Sequence, residues 1–165
     1  MAEVLHTWNE VQVDRAVVRV LEAGDPCADP LLFLHGWGLS PACYVDGISR
    51  LTAAGLRVVA PCLPGFGGSD GLPRARMDLP AYAHRITRLL EVLGERGPVF
   101  VAGHSFGGGV ALQLASDRPD LVRSLTLVNS VGGAAGSRPS WLGWAAGAVT
   151  ELDPAHVARS ASSVL

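Results

Sequence analysis

The sequence predicts an α/β fold in which a mostly parallel sheet carries helices on both faces. Short apolar runs alternate with helix-like segments along the chain. The runs at residues 31–34 and 99–102 lack polar alternation, which is typical of strands covered on both faces. Strands that alternate with helices are joined by right-handed crossovers, so most of these strands are expected to lie parallel.

Six segments are predicted as strands because they are apolar or rich in β-branched residues, and they lie at residues 11–13, 16–21, 31–34, 57–60, 99–102 and 125–128. Asp14-Arg15 separates the first two in the manner of a hairpin turn. A loop rich in Gly and Pro follows the fourth predicted strand, at residues 61–71.

Three helices are predicted from capping residues and apolar periodicity, at residues 41–54, 79–93 and 108–117. Ser40-Pro41 is typical of an N-cap followed by proline at the first helical position. Asp78 is expected to cap the second helix. Gly55 and Gly94 are expected to end the first two helices.

Composition and charge exclude several classes of function. Hydrophobic residues make up 48% of the 165 residues, which is ordinary for a globular chain. The net charge of −2, without a basic stripe, gives no reason to expect nucleic acid as a partner. Cys27, Cys43 and Cys62 lack C-x-x-C spacing and are interpreted as reduced thiols of a cytoplasmic protein. We expect no signal peptide, no membrane span, no metal and no other cofactor.

The most informative motif is Gly-His-Ser-Phe-Gly at residues 103–107. A predicted strand precedes it and a predicted helix follows it, which is the context of a nucleophile elbow. Such a turn leaves no room for side chains two residues before or after the serine, and Gly103 and Gly107 occupy these positions. We therefore predict that Ser105 is the nucleophile and has a strained backbone with positive φ.

Three motifs, in this order, resemble the N-terminal part of the α/β-hydrolase superfamily, in its esterase/lipase-like form. They are the strand and loop at residues 32–38, the Pro-Cys-Leu-Pro-Gly-Phe-Gly-Gly-Ser-Asp loop at 61–70, and the elbow at 103–108. The resemblance covers about residues 4–131. It implies a serine hydrolase that acts on an ester or related acyl bond through an acyl-enzyme at Ser105. Cys62 stands where the family usually has Asp, which puts the rigidity of that loop in question.

The resemblance also implies that the backbone N–H groups of Trp37 and Phe106 form an oxyanion hole, with Gly36 in the same loop as Trp37. Phe106 begins the predicted elbow helix, where the helix dipole favours negative charge. His104 precedes Ser105, but an adjacent residue on such a turn points away from the nucleophile. His104 is therefore interpreted as a packed or hydrogen-bonded residue and not as the catalytic base.

The acid and the base of a catalytic triad are expected to be missing. In this fold the order along the chain is Ser, then Asp or Glu, then His, and His156 is the only histidine after Ser105. Asp117 and Asp120 are interpreted as solvated residues at the far end of the elbow helix.

Asp153 and His156 come in the right order for an acid and a base. However, Asp153 precedes a proline and is typical of a helix N-cap, and no predicted strand precedes His156 to position it. We therefore interpret residues 1–134 as the N-terminal part of an α/β-hydrolase core whose C-terminal strands are missing. Residues 135–165 are interpreted as the start of a truncated helical cap or lid region.

Two functions stay open at this point. The first is a serine hydrolase for a small-molecule acyl substrate, weakly active or inactive as a truncated chain. The second is a non-catalytic half-domain that is completed by, or binds, another polypeptide. The segment at residues 124–129 contains no Lys or Pro that would protect a sheet edge, so it is expected to pair with another strand or to self-associate.

Overall fold

The computed structural model describes residues 6–95 and 97–131. Within them, six strands form one sheet: β1 (His6–Val13), β2 (Ala16–Ala23), β3 (Pro30–Leu34), β4 (Arg57–Pro61), β5 (Val99–His104) and β6 (Val122–Val128). The α-helices are α1 (Val45–Ala53), α2 (Leu79–Val92) and α3 (Phe106–Asp117). Single 3₁₀ turns lie at Pro41–Tyr44, Arg74–Arg76 and Pro119–Leu121. The predicted cap region at 135–165 lies outside the described residues.

The strand order is β1-β2-β4-β3-β5-β6. The hairpin β1–β2 is antiparallel, and β2 pairs antiparallel with β4. The pairs β3–β4, β3–β5 and β5–β6 are parallel. The predicted mostly parallel sheet is therefore confirmed, and the parallel strands are joined through helices as crossover connections require.

The predicted coverage of both sheet faces is also confirmed. Successive residues of a strand point to opposite faces, and those of β3 join different clusters of buried side chains. Leu32 and Leu34 pack with residues of α2 and α3. Leu31 and Phe33 pack with Ile48 of α1 on the other face. This two-sided burial explains why the central strands are continuously apolar.

Several predicted elements were too short or have a different structure from the one predicted. The first strand begins at His6 and not at residue 11, because it pairs with β2 along its whole length. The predicted first helix is a 3₁₀ turn at Pro41–Tyr44 followed by α1, and the Ser40 side chain makes no capping hydrogen bond. By contrast, Asp78 caps α2 as predicted, accepting a hydrogen bond of 3.0 Å from the N–H of Ala81.

No helix in the described part of the chain has the length and apolar character needed to cross a membrane.

Candidate active site

The sheet brings two of the predicted motifs side by side. β3 and β5 are parallel neighbours, and Leu34 is paired with Gly103. The loop after β3 begins at His35, and Ser105 follows the last residue of β5. Because the carboxyl ends of parallel strands lie at the same edge of a sheet, the loop with Trp37 and the turn with Ser105 are adjacent.

The turn at Ser105 has the predicted strained backbone. Ser105 has φ 51° and ψ −116°, between the last residue of β5 and the first residue of α3. A non-glycine residue with positive φ is uncommon and costs on the order of 1–3 kcal/mol. The surrounding structure must therefore hold this conformation, and the elbow geometry is confirmed.

Two glycines allow the chain to pack tightly at this turn. A Cβ atom on Gly103 would lie 2.5 Å from the carbonyl oxygen of Gly107. A Cβ atom on Gly107 would collide with the carbonyl oxygens of Leu34 and His35 at the end of β3. The reason for glycine two residues after Ser105 is therefore the close approach of α3 to the neighbouring strand, in addition to the tightness of the turn itself.

The backbone of Ser105 is anchored on both sides. Its N–H donates to the carbonyl of Val128 at 3.0 Å, and its carbonyl accepts from the N–H of Val131 at 3.2 Å. The same carbonyl accepts from Gly108 at 3.0 Å in the first turn of α3. The Ser105 side chain is half-buried and makes no capping hydrogen bond to α3, so its hydroxyl is not engaged by the helix that follows it.

The loop after β3 forms a tight turn around Trp37. The carbonyl of Gly36 accepts from the N–H of Leu39 at 3.2 Å, and Gly38 has φ 72°. A positive φ at the third residue is typical of a type II turn. The N–H of Trp37 belongs to the same planar peptide unit as the bonded carbonyl of Gly36.

His35 holds that peptide plane from the interior. It is fully buried, and its Nδ1 lies 2.8 Å from the carbonyl oxygen of Gly36. Its Nε2 accepts a hydrogen bond of 2.8 Å from the N–H of Leu63. Nδ1 must therefore carry the proton and donate to Gly36. In a trans peptide the C=O and N–H point in opposite directions, so His35 and Leu39 together fix the direction of the Trp37 N–H.

This buried histidine is expected to make stability depend on pH. Burial lowers the pKa of His35, while its hydrogen bond to Gly36 opposes that shift. The unfolded chain therefore binds a proton more readily than the folded chain. As the pH falls below the usual histidine range near about 6.5, the free energy of unfolding should fall by up to about 1.4 kcal/mol per pH unit.

Urea denaturation between pH 7.5 and 5 measures this effect. The pH slope assigned to His35 should vanish in His35→Asn. It should persist in His84→Asn, because His84 is exposed on α2. An unchanged slope in His35→Asn would show that other groups cause it.

The loop that follows β4 is well anchored although Cys62 replaces the usual Asp. The hydroxyl of Ser69 donates to the carbonyl of Cys62 at 2.8 Å and accepts from the N–H of Arg19 at 2.9 Å. Asp70 accepts from the N–H of Val17 at 2.8 Å. Cys62 is fully buried, and burial raises the pKa of its thiol to about 11, so this cysteine is an inert packing residue.

Aromatic side chains lie around the turn that contains Ser105. The ring of Trp37 contacts the rings of Phe66 and Phe106 edge-on, each with centroids 5.0 Å apart. Tyr82 supports Phe106 from the interior at 4.9 Å. Trp37 is 56% exposed, which is unusual for a tryptophan packed between two rings, and it presents an apolar surface beside Ser105.

His104 is hydrogen-bonded, as the sequence suggested. Its Nδ1 lies 2.8 Å from the hydroxyl of Tyr44, whose oxygen accepts the N–H of Gly36 at 3.2 Å. Sequence analysis did not single out Tyr44. A contact between residues 60 positions apart leaves no signal in local pattern.

The described acids after Ser105 lie away from the turn. Asp117 and Asp120 are exposed near the far end of α3, about 18 Å along the helix from Ser105, and Asp120 pairs with Arg118 at 2.8 Å. Their predicted role as solvated helix-end residues is confirmed. Asp153 and His156 lie outside the described residues. Within the described ranges, no group of three or more His, Cys, Asp or Glu could hold a metal ion.

Several known proteins are similar to this chain in sequence or in fold. The poly(3-hydroxyalkanoate) depolymerase of Ectopseudomonas oleovorans is 32% identical over 162 residues, which are 96% of this chain and 56% of that protein. The haloalkane dehalogenase of Psychrobacter cryohalolentis is 38% identical over 105 residues, 62% of this chain and 34% of the dehalogenase. A solved structure of a membrane phospholipase A is 33% identical, with a TM-score of 0.73, over 84% of this chain and 44% of that one.

The chain thus spans about half the length, or less, of these curated relatives. The model of the alpha/beta hydrolase fold family matches residues 29–162, which is most of the chain. Because this match includes both the loop after β3 and the turn at Ser105, the chain belongs to the alpha/beta hydrolase fold family.

Proposed function

We propose that this chain carries the nucleophile and oxyanion hole of a serine hydrolase that cleaves an ester or related acyl bond. The observation that carries the proposal is Ser105 at positive φ, at the N-terminus of α3 and beside the loop of Trp37. A serine held in this conformation presents its hydroxyl above the end of the sheet.

In the proposed reaction, Oγ of Ser105 attacks the acyl carbon and its proton passes to a base. The carbonyl oxygen becomes an oxyanion, which accepts hydrogen bonds from the backbone N–H groups of Trp37 and Phe106. Loss of one such donor costs about 2.7–4 kcal/mol in barrier in a comparable enzyme. The leaving alcohol departs with the proton, and water then releases the acyl group from Ser105.

The base and its acid are proposed to lie outside residues 6–131. Within that range the residues after Ser105 include no histidine, and the nearest acids lie at the other end of α3. The only histidine of the chain beyond the described part is His156, preceded by Asp153. The described part of the chain thus supplies the proposed nucleophile and oxyanion hole, but not the proposed base and acid.

The exposed face of Trp37 supports an apolar acyl substrate. Its neighbours Phe66 and Phe106 make a wall that would exclude water from one side of the acyl group. The depolymerase and phospholipase named above also act on acyl compounds by their names, whereas the dehalogenase does not. An Asp at position 105 would suggest a dehalogenase or an epoxide hydrolase, so the serine at this position favours acyl transfer.

Covalent labelling with a fluorophosphonate tests the proposal. Oγ of Ser105 should form a bond to phosphorus with loss of fluoride, and its proton leaves with the fluoride. Intact mass spectrometry should show one adduct on the wild-type chain and none on Ser105→Ala. Because the base is proposed to lie outside the described residues, the reaction is run with added imidazole, which can act as an external base. A label at another residue, or none after prolonged reaction under these conditions, would contradict a nucleophilic Ser105.

A specific observation favours a second function, a half-domain that pairs with another polypeptide. In the described part of the chain β6 is an edge of the sheet, paired on one side with β5 only. Its exposed side chains are those of Arg123, Thr126 and Val128, and its residues 124–128 contain no charged residue and no Pro. An unprotected edge presents free N–H and C=O groups to another strand.

We therefore expect the isolated chain to self-associate through β6. Light scattering over a concentration series should show a rising apparent mass for the wild-type chain, and Thr126→Lys should lower it because charge on an edge opposes pairing. The matched control is Thr7→Lys on β1, the opposite edge, which should change nothing. A monomer at all concentrations would contradict the prediction.

A further inference from the structure

We propose that Tyr44 and His104 form a hydrogen-bonded bridge that positions the oxyanion loop relative to the nucleophile. The inference rests on the proposed function, because it assigns the bridge to the Trp37 N–H and to Ser105. Neither side chain touches the reacting atoms in this proposal. Both are positioning residues, which act through the backbone of Gly36.

The bridge consists of two hydrogen bonds in series. The N–H of Gly36 donates to the hydroxyl oxygen of Tyr44 at 3.2 Å, and that hydroxyl lies 2.8 Å from Nδ1 of His104. One arrangement of protons lets the Tyr44 hydroxyl both donate and accept. The Tyr44 O–H donates to Nδ1 of His104, whose ring proton is then on Nε2, while the Tyr44 oxygen accepts from Gly36.

With this bridge, hydrogen bonds fix both of the peptide planes that meet at Gly36. His35 and Leu39 bind the carbonyl of Gly36 and so fix the plane that contains the Trp37 N–H. Tyr44 binds the N–H of Gly36 and so fixes the preceding plane. Glycine is the residue with the greatest freedom of φ and ψ, so an unbound plane on either side would let the Trp37 N–H rotate.

The bridge also connects two separate parts of the site. Tyr44 ends the 3₁₀ turn after the oxyanion loop, and its ring packs edge-on against Phe33 with centroids 4.8 Å apart. His104 is the last residue of β5, directly before Ser105. Tyr44 therefore fixes the distance between the loop that stabilises negative charge and the turn that carries the nucleophile.

Close packing supports the same relation. A Cβ atom on Gly36 would lie 2.9 Å from Nδ1 of His104, so the loop and the imidazole are in direct contact. The rings of Tyr44 and His104 are edge-on, with centroids 5.7 Å apart. A donor that is displaced by as little as 1 Å stabilises an oxyanion poorly, which is why preorganisation at this point matters for rate.

The first readout needs no catalysis. In Tyr44→Phe the ring and its packing on Phe33 are kept, but the acceptor for Gly36 is lost. Amide hydrogen exchange, followed by NMR on the whole chain, should show the Gly36 and Trp37 amides exchanging about tenfold faster, as expected from one lost hydrogen bond. Amides of β2 should be unaffected.

The second readout is the rate of fluorophosphonate labelling at Ser105, which depends on the oxyanion hole. Tyr44→Phe and His104→Leu should each slow labelling about tenfold, and the double variant should be no slower than either. His104→Asn should restore most of the rate, because its side-chain oxygen offers an acceptor near the position of Nδ1. His84→Asn, at an exposed histidine on α2, is the matched control and should label at the wild-type rate.

The two readouts separate the failure of this inference from the failure of the proposed function. Unchanged exchange at Gly36 and Trp37 in Tyr44→Phe would overturn the bridge, whatever the labelling shows. Additive losses in the double variant, or no rescue by His104→Asn, would also overturn it. If wild-type Ser105 is not labelled, the proposed function fails, and the exchange rates alone then decide whether the bridge fixes the loop.

Discussion

The isolated 165-residue chain is expected to hydrolyse short-chain aryl esters on the order of 10⁶-fold more slowly than a serine hydrolase with a complete triad. The reason is that Ser105 lacks a base among the described residues, and a serine hydroxyl is a poor nucleophile until a base removes its proton. The proposed oxyanion hole and substrate binding alone should leave a residual acceleration of about 10³–10⁴ over water.

Steady-state and burst kinetics of the purified chain, of Ser105→Ala and of His156→Ala measure this expectation. A slow background without a burst, little changed in either variant, agrees with it. Robust turnover that is lost in both Ser105→Ala and His156→Ala would show instead that His156 reaches Ser105 and acts as the base. Such a result would also place Asp153 as the acid to examine next.

Gly107→Ala is expected to have the largest effect on stability of any single methyl addition near the site. The new Cβ would meet the carbonyl oxygens of Leu34 and His35, which are backbone atoms and cannot rotate away. Overpacking of this kind costs about 1–3 kcal/mol or more, a large part of the roughly 5–15 kcal/mol that stabilises a typical domain. The shift should also separate α3 from β3 and slow the labelling of Ser105.

The matched control is Gly47→Ala in α1. Gly47 is exposed, and a Cβ atom there would meet nothing within 4 Å. This change should raise stability by about 0.5–1 kcal/mol, because alanine is the better helix former. Urea denaturation of both variants provides the measurement. Equal stability of Gly107→Ala and the wild-type chain would mean that the elbow tolerates a wider helix–strand separation.

The order of strands and helices could be predicted from the sequence because local pattern and burial agree along most of the chain. β3 and residues 99–102 of β5 are apolar at every position since the sheet is covered on both faces. Asp78 was recognised as the cap of α2 because its side chain reaches only three residues ahead. The first helix was harder, since Ser40 and Pro41 have the residue types of a cap but the chain forms a 3₁₀ turn there.

The candidate site could likewise be predicted only in part from the sequence. The spacing of Gly103, Ser105 and Gly107 predicted the elbow, because the steric limits of that turn act within five residues. The reason that position 107 is glycine was only partly predictable, since a Cβ atom there would collide with the carbonyl oxygens of Leu34 and His35, about 70 residues earlier. The anchoring of Ser105 by Val128 and Val131 was likewise invisible before the sheet was assembled.

The sequence by itself determined the mostly parallel α/β architecture and the strained serine between β5 and α3, and it predicted the kind of chemistry that such a serine supports. Periodicity, capping and turn sterics depend on residues that are close in the sequence, so they can be predicted from it. Only the tertiary structure decided that His35 donates to Gly36 and that Tyr44 bridges Gly36 to His104. These bonds join residues from separate strands and turns. Buried polar groups form such hydrogen bonds only when the packed core brings them together.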